Sequence, residues 1–374
     1  MNPETEIRHT TPATATDAGP ATATAATPAN VTDAGPAAGG SWRGRTVLVT
    51  GAEGFIGSTL VDLLVARGAN VRAFVHYKPY AEKGHLARYL GPDSPDSPDS
   101  PVEMLAGDIR DAGRVSDAVQ GCDTVFHLAA LIGIPYSYES PGAYVQTNVT
   151  GTENIAEACR RHAVRRLVHT STSEVYGTAL TAPISESHPL QPQSPYSASK
   201  IGADMMALSF HHAFELPVTV VRPFNTYGPR QSARAVIPTI LAQLHAGATE
   251  IRLGSLTPTR DFTYVTDTAE GFLAVAECDR ALGEVVNLGT GREISIGDLA
   301  EALVAASGRD ARVVVDPGRL RPAGSEVERL LSDNTRARSW AGWEPVVSLP
   351  EGLRRTSDWI AANLHLFAPT RYQV

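Results

Sequence analysis

The sequence predicts an α/β fold in which a doubly wound parallel sheet is joined to a smaller carboxy-terminal lobe. Three observations support this prediction. Strand and helix patterns alternate along the first part of the chain, an order typical of parallel sheets. A glycine-rich segment follows the first strand, and the alternation loosens beyond residue 222. The 374 residues also exceed what one compact core usually holds, which fits a large α/β unit with a second lobe.

Composition narrows the class of protein. The formal net charge is -8 and no basic run occurs, which argues against a nucleic-acid partner. No apolar run is long enough to cross a membrane, and the amino terminus lacks the pattern of a secretory signal. Cys122, Cys159 and Cys278 are scattered without the spacing of a metal site or a disulfide framework. We therefore expect a cytoplasmic protein that binds no nucleic acid, membrane or metal.

Two segments have low complexity. Residues 1–42 are rich in Ala, Thr, Pro and Gly, so they cannot bury enough apolar surface to offset the entropy of ordering. We predict a disordered tail there. Residues 92–101 repeat Pro-Asp-Ser and are expected to form a long loop between ordinary elements. Neither segment indicates a partner.

The first element is a buried strand at Thr46–Thr50, which runs into a G-x-x-G-x-x-G segment and an amphipathic helix. Glycines are needed where a strand turns tightly into a helix and the backbone approaches a pyrophosphate. A second strand at Asn70–Val75 completes the context that makes this motif specific. The sequence therefore predicts a Rossmann-type dinucleotide site at the turn, with these candidates: Gly51, Gly54, Phe55, Ile56 and Gly57.

Later strands provide further candidates for cofactor contacts. An NAD site usually has an acid after the second strand for the ribose 2′-hydroxyl, but this chain has His76-Tyr77-Lys78, so NADP stays open beside NAD. Further strands are predicted at Val102–Ala106, from Thr124 and at Arg166–Thr170, with a helix from Ala143 to Arg161. The other candidates follow these strands or lie on that helix: His76, Asp108, Ile109, Leu128, Ala129, Ala130, Asn148 and Thr170.

The catalytic candidates lie in two neighbouring segments. Tyr196 precedes Lys200 by four residues, so both side chains lie on one face of a helix. We expect the ammonium to lower the phenol pKa from its ordinary value of ~10, so that the phenol can take a proton from a hydroxyl as hydride leaves the carbon. Such pairs are common on helix surfaces. Two other features support a catalytic role: the glycine-rich turn, and the upstream segment with Thr172, Ser173 and Glu174.

A second lobe is predicted after the strand at Pro217–Val221. We assign residues 43–222 to the dinucleotide-binding domain, with 265–288 returning to it, and residues 223–264 and 289–374 to the lobe. The lobe contains predicted helices at Val236–His245 and Ile296–Ser307 and short strands at Glu250–Leu253 and around residues 259–265. Arginine suits a diphosphate because its planar fork binds phosphate oxygens in pairs. Any one arginine of the lobe is more commonly a surface charge.

Taken together, these motifs resemble the extended short-chain dehydrogenase/reductases that act on nucleotide sugars. The resemblance covers residues 45 to about 360 and includes His127-Leu-Ala-Ala130, Asn148-Val-x-Gly-Thr152, Val175-Tyr-Gly177, Arg222-Pro-Phe-Asn225, Arg260-Asp-Phe and Asn287-Leu-Gly-x-Gly291. Within the family, residues 171–178, 193–204 and 225–238 are most similar to UDP-N-acetylglucosamine 4,6-dehydratase of the legionaminic-pathway type. The resemblance implies bound NAD and the following substrate contacts: Thr172, Asn225, Arg234, Arg260 and Arg321.

The resemblance also implies a reaction that leaves the cofactor unchanged overall. Tyr196 removes the proton of the C4 hydroxyl while NAD takes the C4 hydride. Thr172 hydrogen-bonds the C4 oxygen, and Lys200 holds the cofactor ribose. Glu174 then removes the C5 proton as water leaves C6, and the hydride returns to C6.

One residue departs from the family pattern and leaves alternatives open. Glucose 4,6-dehydratases of this family carry Thr-Asp-Glu, in which the aspartic acid protonates the departing hydroxyl, whereas this chain has Ser173 there. Serine is a poor proton donor, so Glu174 or a water has to serve. UDP-glucuronate decarboxylases also carry Thr-Ser-Glu, and a nucleotide-sugar 4-epimerase does not need the carboxylate. A dinucleotide-binding regulator on the same fold is a further alternative, although the presence of Tyr196 and Lys200 argues against it.

The family resemblance further implies a homodimer. Helices at 143–161 and 196–214 are expected to pair across a two-fold axis into a four-helix bundle. The apolar residues of these helices either form that interface or face the sheet: Ile155, Ala158, Ala203, Met206, Leu208 and Phe210.

Overall fold

The computed structural model describes residues 42–77, 84–89 and 100–369. The predicted tail lies outside the described residues except for Trp42, and the predicted repeat except for its last two residues. Trp42 is only 1% exposed, and its ring lies 5.9 Å from that of Phe126. The packed part of the chain thus includes residue 42, and the predicted boundary at 43 is one residue late. The reason is that Trp42 is the only Phe, Tyr or Trp in residues 1–42 and packs into the core.

Fourteen strands and eleven α-helices form the described part. The strands are β1 (Thr46–Thr50), β2 (Asn70–Val75), β3 (Val102–Ala106), β4 (Thr124–His127), β5 (Arg166–Thr170), β6 (Val218–Pro223), β7 (Asn225–Tyr227), β8 (Glu250–Leu253), β9 (Thr259–Arg260), β10 (Phe262–Tyr264), β11 (Val285–Leu288), β12 (Ile294–Ser295), β13 (Arg312–Val315) and β14 (Arg329–Leu330). The helices are α1 (Phe55–Ala66), α2 (Ala112–Val119), α3 (Ile134–Glu139), α4 (Pro141–Tyr144), α5 (Gly151–Arg161), α6 (Pro195–Phe214), α7 (Val236–His245), α8 (Val265–Ala276), α9 (Ile296–Ser307), α10 (Thr335–Ala341) and α11 (Leu349–Ala362).

Seven of the strands form one parallel sheet in the order β11-β6-β5-β4-β1-β2-β3. The chain builds outward from β1 to β3 and then returns to β4 on the other side of β1. This reversal separates the loops that follow β1 and β4 and opens a crevice at the carboxyl ends of the strands. The arrangement confirms the predicted Rossmann-type doubly wound sheet and places the glycine-rich turn and the Thr172 segment at the same edge.

Helices cover both faces of the sheet. One apolar core lies under α1 and α8 and includes Leu60, Leu64 and Phe272. The other lies under α2, α5 and α6 and includes Ile155, Ala158 and Phe210. Both faces of the sheet are buried under helices, because parallel strands carry apolar side chains on each side. The apolar residues of α5 and α6 that were considered for a dimer interface are therefore used mainly by the sheet: Ile155, Ala158, Ala203 and Phe210 are buried, and Met206 packs beside them.

The carboxy-terminal part of the chain forms smaller sheets around a third core. Strands β13 and β8 pair in parallel, β10 pairs with β7, and β9 lies between β12 and β14. Side chains of α7, α9 and α11 pack together there, including Ile240, Leu303 and Ile360. These short sheets carry β7 and β9 next to the carboxyl end of the main sheet.

The described residues offer neither a membrane span nor a metal site. None of their helices is both long and apolar enough to cross a bilayer. They also contain no group of three or more His, Cys, Asp or Glu side chains arranged to hold a metal ion. The three cysteines are free and buried.

Candidate active site

The catalytic segment begins where β5 ends. Thr172 is in extended conformation and its hydroxyl accepts a hydrogen bond from the Glu174 backbone N–H at 3.2 Å, which starts a 3₁₀ turn over Ser173–Tyr176. This cap fixes the direction in which Glu174 leaves the strand. Gly177 ends the turn with a φ of 62°, a left-handed conformation that suits glycine.

Helix α6 begins opposite this turn. Ser194 caps its first turn and Ser197 bonds back to the Ser194 N–H at 3.0 Å, so a reciprocal capping box sets the start of the helix. Tyr196 then lies in the first turn and is 7% exposed. Lys200 lies one turn later, is buried, and donates from Nζ to the Thr170 carbonyl at 2.7 Å. The spacing thus places both side chains on the face that meets the end of β5, as the sequence predicts.

The effect predicted on the Tyr196 phenol is wrong for the protein alone. Burial raises the pKa of Tyr196, the nearby Glu174 carboxylate raises it further, and a hydrogen bond with Thr172 acts in the opposite direction. Lys200 is not among the strongest influences on this pKa, and its ammonium is directed to the Thr170 carbonyl. At neutral pH the phenol therefore holds its proton.

Lys200 is itself strongly affected by burial. Removal from water lowers the pKa of its ammonium to about 8, and the charge of Asp204 opposes this effect. Lysine can undergo such shifts, whereas a guanidinium stays charged. Lys200 is thus mostly cationic at pH 7 and loses its charge above pH 8.

The glycine-rich turn has the geometry of a pyrophosphate site. Gly51 has a φ of 66°, and a Cβ there would lie 3.0 Å from the Ala129 backbone nitrogen. A Cβ on Gly57 would lie 2.2 Å from the Gly51 carbonyl oxygen, so only glycine allows α1 to start this close to β1. The first turn of α1 has no side-chain cap and no acidic residue. Its N–H groups and dipole are therefore suited to hold phosphate oxygens.

A buried hydrogen-bond chain fixes the strand ends beside this turn. The Thr50 hydroxyl accepts from the N–H groups of Leu128 and Ala129 at 3.1 and 3.0 Å and lies 2.9 Å from His127 Nδ1. His127 Nε2 continues the chain to Thr152 at 3.1 Å. Burial keeps the pKa of His127 well below its ordinary value, so the imidazole is neutral. These hydrogen bonds fix the position of β1 relative to β4, and so the space between the loops that follow the two strands.

Several predicted cofactor residues have other partners. Asn148 lies within a π-helical stretch, Val145–Thr150, and is buried. Its side chain exchanges two hydrogen bonds with the Leu131 backbone and donates to Ser199 at 2.9 Å. This side chain joins α6 to the loop after β4, and its contact with the cofactor stays a prediction.

Asp108 and Ile109, which were predicted to contact the cofactor, also have partners within the protein. Asp108 forms a bidentate ion pair with Arg110, which lowers the pKa of the carboxyl, and His76 Nε2 lies 4.0 Å away. Ile109 is buried against Gly151, whose Cβ would lie 2.6 Å from the isoleucine side chain. Among the other predicted cofactor contacts, His76 is exposed, and Leu128, Ala130 and Thr170 are half-buried. The Thr170 hydroxyl is buried without a hydrogen-bond partner.

A cleft of about 230 Å³ lies between the end of the main sheet and the smaller lobe. It brings together five predicted residues: Glu174, Asn225, Arg234, Arg260 and Arg321. Ser173 is buried and does not line it. The Oδ1 of Asn225 is buried in this region without a donor, so the site offers an unused acceptor to a ligand.

The cleft is electrostatically mixed. Arg260 is buried, and burial lowers the pKa of its guanidinium while the nearby Glu174 raises it. Arg260 and Arg321 each lie 3.4 Å from the same oxygen, Oε1 of Glu326. Glu326, Gln231 and Arg319 also line the cleft and were not predicted from the sequence. The position of Glu326, five residues after Arg321, was the one available signal, and it gained meaning only when the loop brought the carboxylate back to Arg260.

Comparison with known proteins agrees with this geometry. Residues 48–356 match the family described as GDP-mannose 4,6 dehydratase. The chain is 36% identical over 327 residues to a dTDP-glucose 4,6-dehydratase of Streptomyces antibioticus, covering 87% of this chain and 95% of that protein. It is 36% identical over 318 residues to a UDP-glucose 4-epimerase of Mycolicibacterium smegmatis, covering 83% and 97%.

A solved structure shows the same fold with a cofactor. The dTDP-glucose 4,6-dehydratase of Streptomyces venezuelae with NAD bound has a TM-score of 0.77 and 31% identity, covering 87% of this chain and 100% of that one. The sheet order, the site geometry and these matches lead to one conclusion. The chain belongs to the GDP-mannose 4,6-dehydratase family, whose relatives include nucleotide-sugar 4,6-dehydratases and 4-epimerases.

Proposed function

We propose that this protein is an NAD-dependent nucleotide-sugar 4,6-dehydratase acting on a UDP-hexose such as UDP-N-acetylglucosamine. The observation that carries the proposal is the position of Glu174. Its carboxylate lines the cleft and acts electrostatically on both Tyr196 and Arg260. A carboxylate there is required to remove a proton from C5, whereas oxidation at C4 alone does not need it.

The residues present fit a bound dinucleotide. The first turn of α1 would hold the pyrophosphate, and Lys200 with Thr170 would face the ribose of the nicotinamide half. When NAD is bound, it supplies the acceptor for the C4 hydride and returns that hydride to C6. We favour NAD over NADP because the dehydratase of Streptomyces venezuelae holds NAD. His76, in place of the usual acid, would also tolerate a 2′-phosphate.

Tyr196 and Thr172 would handle the proton at C4. The Thr172 hydroxyl hydrogen-bonds the phenol and favours its ionised form, which burial disfavours. Tyr196 would first release its own proton to solvent and would then accept the proton of a C4 hydroxyl placed between the two, while Thr172 keeps the C4 oxygen in position. The positive charge of Lys200, one turn further along α6, would be a weaker influence in the same direction as the Thr172 hydrogen bond.

Glu174 would then act at C5 and C6. The ketone at C4 acidifies the C5 proton, and the carboxylate removes it. Ser173 is buried and does not reach the cleft, so Glu174 would pass a proton to the departing hydroxyl itself or through water. One carboxylate in both roles takes the place of the Asp-Glu pair of other dehydratases.

The charges of the cleft support a neutral sugar on a diphosphate. Four arginines line it, Arg234, Arg260, Arg319 and Arg321, against Glu174 and Glu326. The surplus of positive charge suits a diphosphate. A glucuronate would bring a further carboxylate towards Glu174, which disfavours the decarboxylase alternative. The unpaired acceptor oxygens of Asn225 and Gln231 suit hydroxyl or acetamido N–H donors. Together with the legionaminic-type resemblance, they support UDP-N-acetylglucosamine as the proposed substrate.

A 4-epimerase is the second candidate. The absence of an acid at Ser173 favours it, as does the 36% identity to the UDP-glucose 4-epimerase of Mycolicibacterium smegmatis. An epimerase would need the sugar to turn over after oxidation and would leave Glu174 without a chemical role.

The test is turnover in D₂O with UDP-N-acetylglucosamine, UDP-glucose and UDP-glucuronate, with products analysed by mass. A dehydratase yields a product that has lost water and carries deuterium at C5. We expect Glu174→Gln to lose this product by ~10²–10⁴-fold, the usual effect of removing a general acid or base. Glu328→Gln is the matched control because Glu328 also acts on Arg260 but is exposed and outside the cleft. An unchanged mass with inverted C4, and full turnover by Glu174→Gln, would establish the epimerase instead.

A further inference from the structure

A buried group of charged side chains lies behind Lys200, and the reaction proposed above does not use it. Asp204 is fully buried one helical turn after Lys200. Its Oδ2 accepts from the Ser171 hydroxyl at 2.7 Å and from Arg222 Nη2 at 3.0 Å. Its Oδ1 lies 3.3 Å from His169 Nε2. A carboxylate removed from water is retained only where such partners compensate for the lost hydration.

These contacts fasten α6 to the catalytic turn at two consecutive residues. Lys200 Nζ binds the carbonyl of Thr170, and Asp204 binds the hydroxyl of Ser171. The next residue in the chain is Thr172, whose hydroxyl contacts the Tyr196 phenol. The Thr172 and Tyr196 hydroxyls would hold the sugar. The distance between them therefore depends on the contacts that Lys200 and Asp204 make with the end of β5.

The same carboxylate acts on the charge of Lys200. Five other buried titratable groups lie around the pair formed by Lys200 and Asp204. They are His127 on β4, His169 on β5, Arg222 on β6, Tyr176 in the 3₁₀ turn and Tyr196 on α6. Burial lowers the pKa of both histidines, so they are neutral, and burial raises the pKa of both tyrosines. Burial also lowers the pKa of Lys200, and Asp204 is the group that raises it.

We propose that Asp204 is a positioning residue for the reaction: it holds the Thr172 turn against α6 and supplies the buried counter-charge that keeps Lys200 cationic. The inference rests on the proposed function only in that Lys200 must carry its charge during turnover. Its electrostatic half is a property of the folded protein and holds whichever nucleotide sugar is bound.

The number of lysines makes the electrostatic half directly measurable. The chain has three lysines, Lys78, Lys83 and Lys200, so protein labelled with [ε-¹³C]lysine gives three resonances. Lys78→Arg and Lys83→Arg identify the signal of Lys200. In the unsubstituted protein this signal should titrate near pH 8, where burial and Asp204 together place the pKa of Lys200. In Asp204→Asn it should titrate about one pH unit lower or more, the size of effect that a close opposite charge produces.

Ser171→Ala and Arg222→Gln separate charge from position. Both retain the Asp204 carboxylate, so the Lys200 titration should stay near that of the unsubstituted protein. Ser171→Ala should lower kcat by releasing the turn, with the alkaline limb of the pH profile unmoved. In Asp204→Asn that limb should move to lower pH, because Lys200 loses its proton earlier. If Asp204→Asn fails to fold, the double variant Asp204→Asn/Arg222→Gln removes both partners of the ion pair and should show the same downward shift.

A Lys200 signal that titrates at the same pH in a folded Asp204 variant and in the unsubstituted protein would overturn the proposal. An alkaline limb that moves equally in Ser171→Ala would do the same, since it would assign the effect to position alone. Failure of the proposed function gives a different pattern: no product from any nucleotide sugar, with the Lys200 titration still shifted in Asp204→Asn.

Discussion

Arg260 connects the chemistry of the site to the binding of substrate charge. It is buried in the cleft, donates to its neighbouring Thr259 carbonyl at 2.9 Å and faces Glu326. We expect Arg260→Ala to weaken binding of the nucleotide sugar by ~10–100-fold, because charge-assisted hydrogen bonds contribute ~1.5–3 kcal/mol. Calorimetry with UDP and with the nucleotide sugar measures this, and the dinucleotide content after acid release should be unchanged.

Arg329→Ala provides the control for that measurement. Arg329 lies on β14 beside β9, is exposed, and pairs with Glu293 outside the cleft. It should bind the nucleotide sugar like the unsubstituted protein. If Arg260→Ala lost nucleotide sugar and dinucleotide equally, Arg260 would have a folding role, not a phosphate-binding one.

Residue-level chemistry was predicted from the sequence where spacing alone determines it. The four-residue interval places Tyr196 and Lys200 together, and the strand ends place Glu174 with Asn225. The predicted direction of the Tyr196 pKa shift was wrong, because the shift depends on burial by residues far apart in the chain. One of them is Tyr144, whose ring centroid lies 6.2 Å from that of Tyr196. Glu326 was missed for the same reason, since its two arginine partners come from β9 and from the loop before it.

The turn between β1 and α1 is the element on which cofactor binding depends most directly. A Cβ at Gly57 would lie 2.2 Å from the Gly51 carbonyl oxygen, so Gly57→Ala must push the helix away from the strand. We expect a loss of bound dinucleotide and a destabilisation of about 1–3 kcal/mol, the usual cost of overpacking. Gly142→Ala is the control, because a Cβ at Gly142 meets nothing within 4 Å. Thermal melting and acid release of cofactor test both, and unchanged cofactor content in Gly57→Ala would contradict this account of the turn.

Elements with a strong local pattern were predicted closely, and elements that depend on distant pairing were not. The strands at Thr46–Thr50, Asn70–Val75 and Arg166–Thr170 match the prediction because they are continuous buried runs. Strand β13 was not predicted, since it exists through pairing with β8, which lies 62 residues away. Helix α11 was also not assigned, because its buried residues are few and separated by charged ones.

At the scale of the whole molecule we propose a homodimer through α5 and α6, although by different residues from those first considered. The stripe formed by Ile155 and Phe210 faces the sheet, whereas Met205 and Phe214 on α6 are 46% and 54% exposed. Exposed large apolar groups on one helix favour an interface. Light scattering at micromolar concentration should give twice the mass of the chain, and Met205→Glu/Phe214→Glu should give a monomer.

Val346→Glu is the matched control for the dimer. Val346 is 84% exposed and lies before α11, so a charge there should leave the assembly unchanged. A monomeric mass for the unsubstituted protein would rule out the dimer. Retention of the dimer by Met205→Glu/Phe214→Glu would place the interface on another face.

The shared oxygen of Glu326 has a consequence for how the enzyme responds to its ionic surroundings. Arg260 and Arg321 are already paired with the Glu326 carboxylate. A diphosphate that enters the cleft would therefore replace this carboxylate as their counter-ion and would not meet two unpaired cations. Dissolved salt competes less with a ligand when the protein carries its own competitor at the site. Substrate affinity should therefore vary less with ionic strength than the number of arginines suggests. Product should also dissociate readily, because the Glu326 carboxylate can pair with both arginines again.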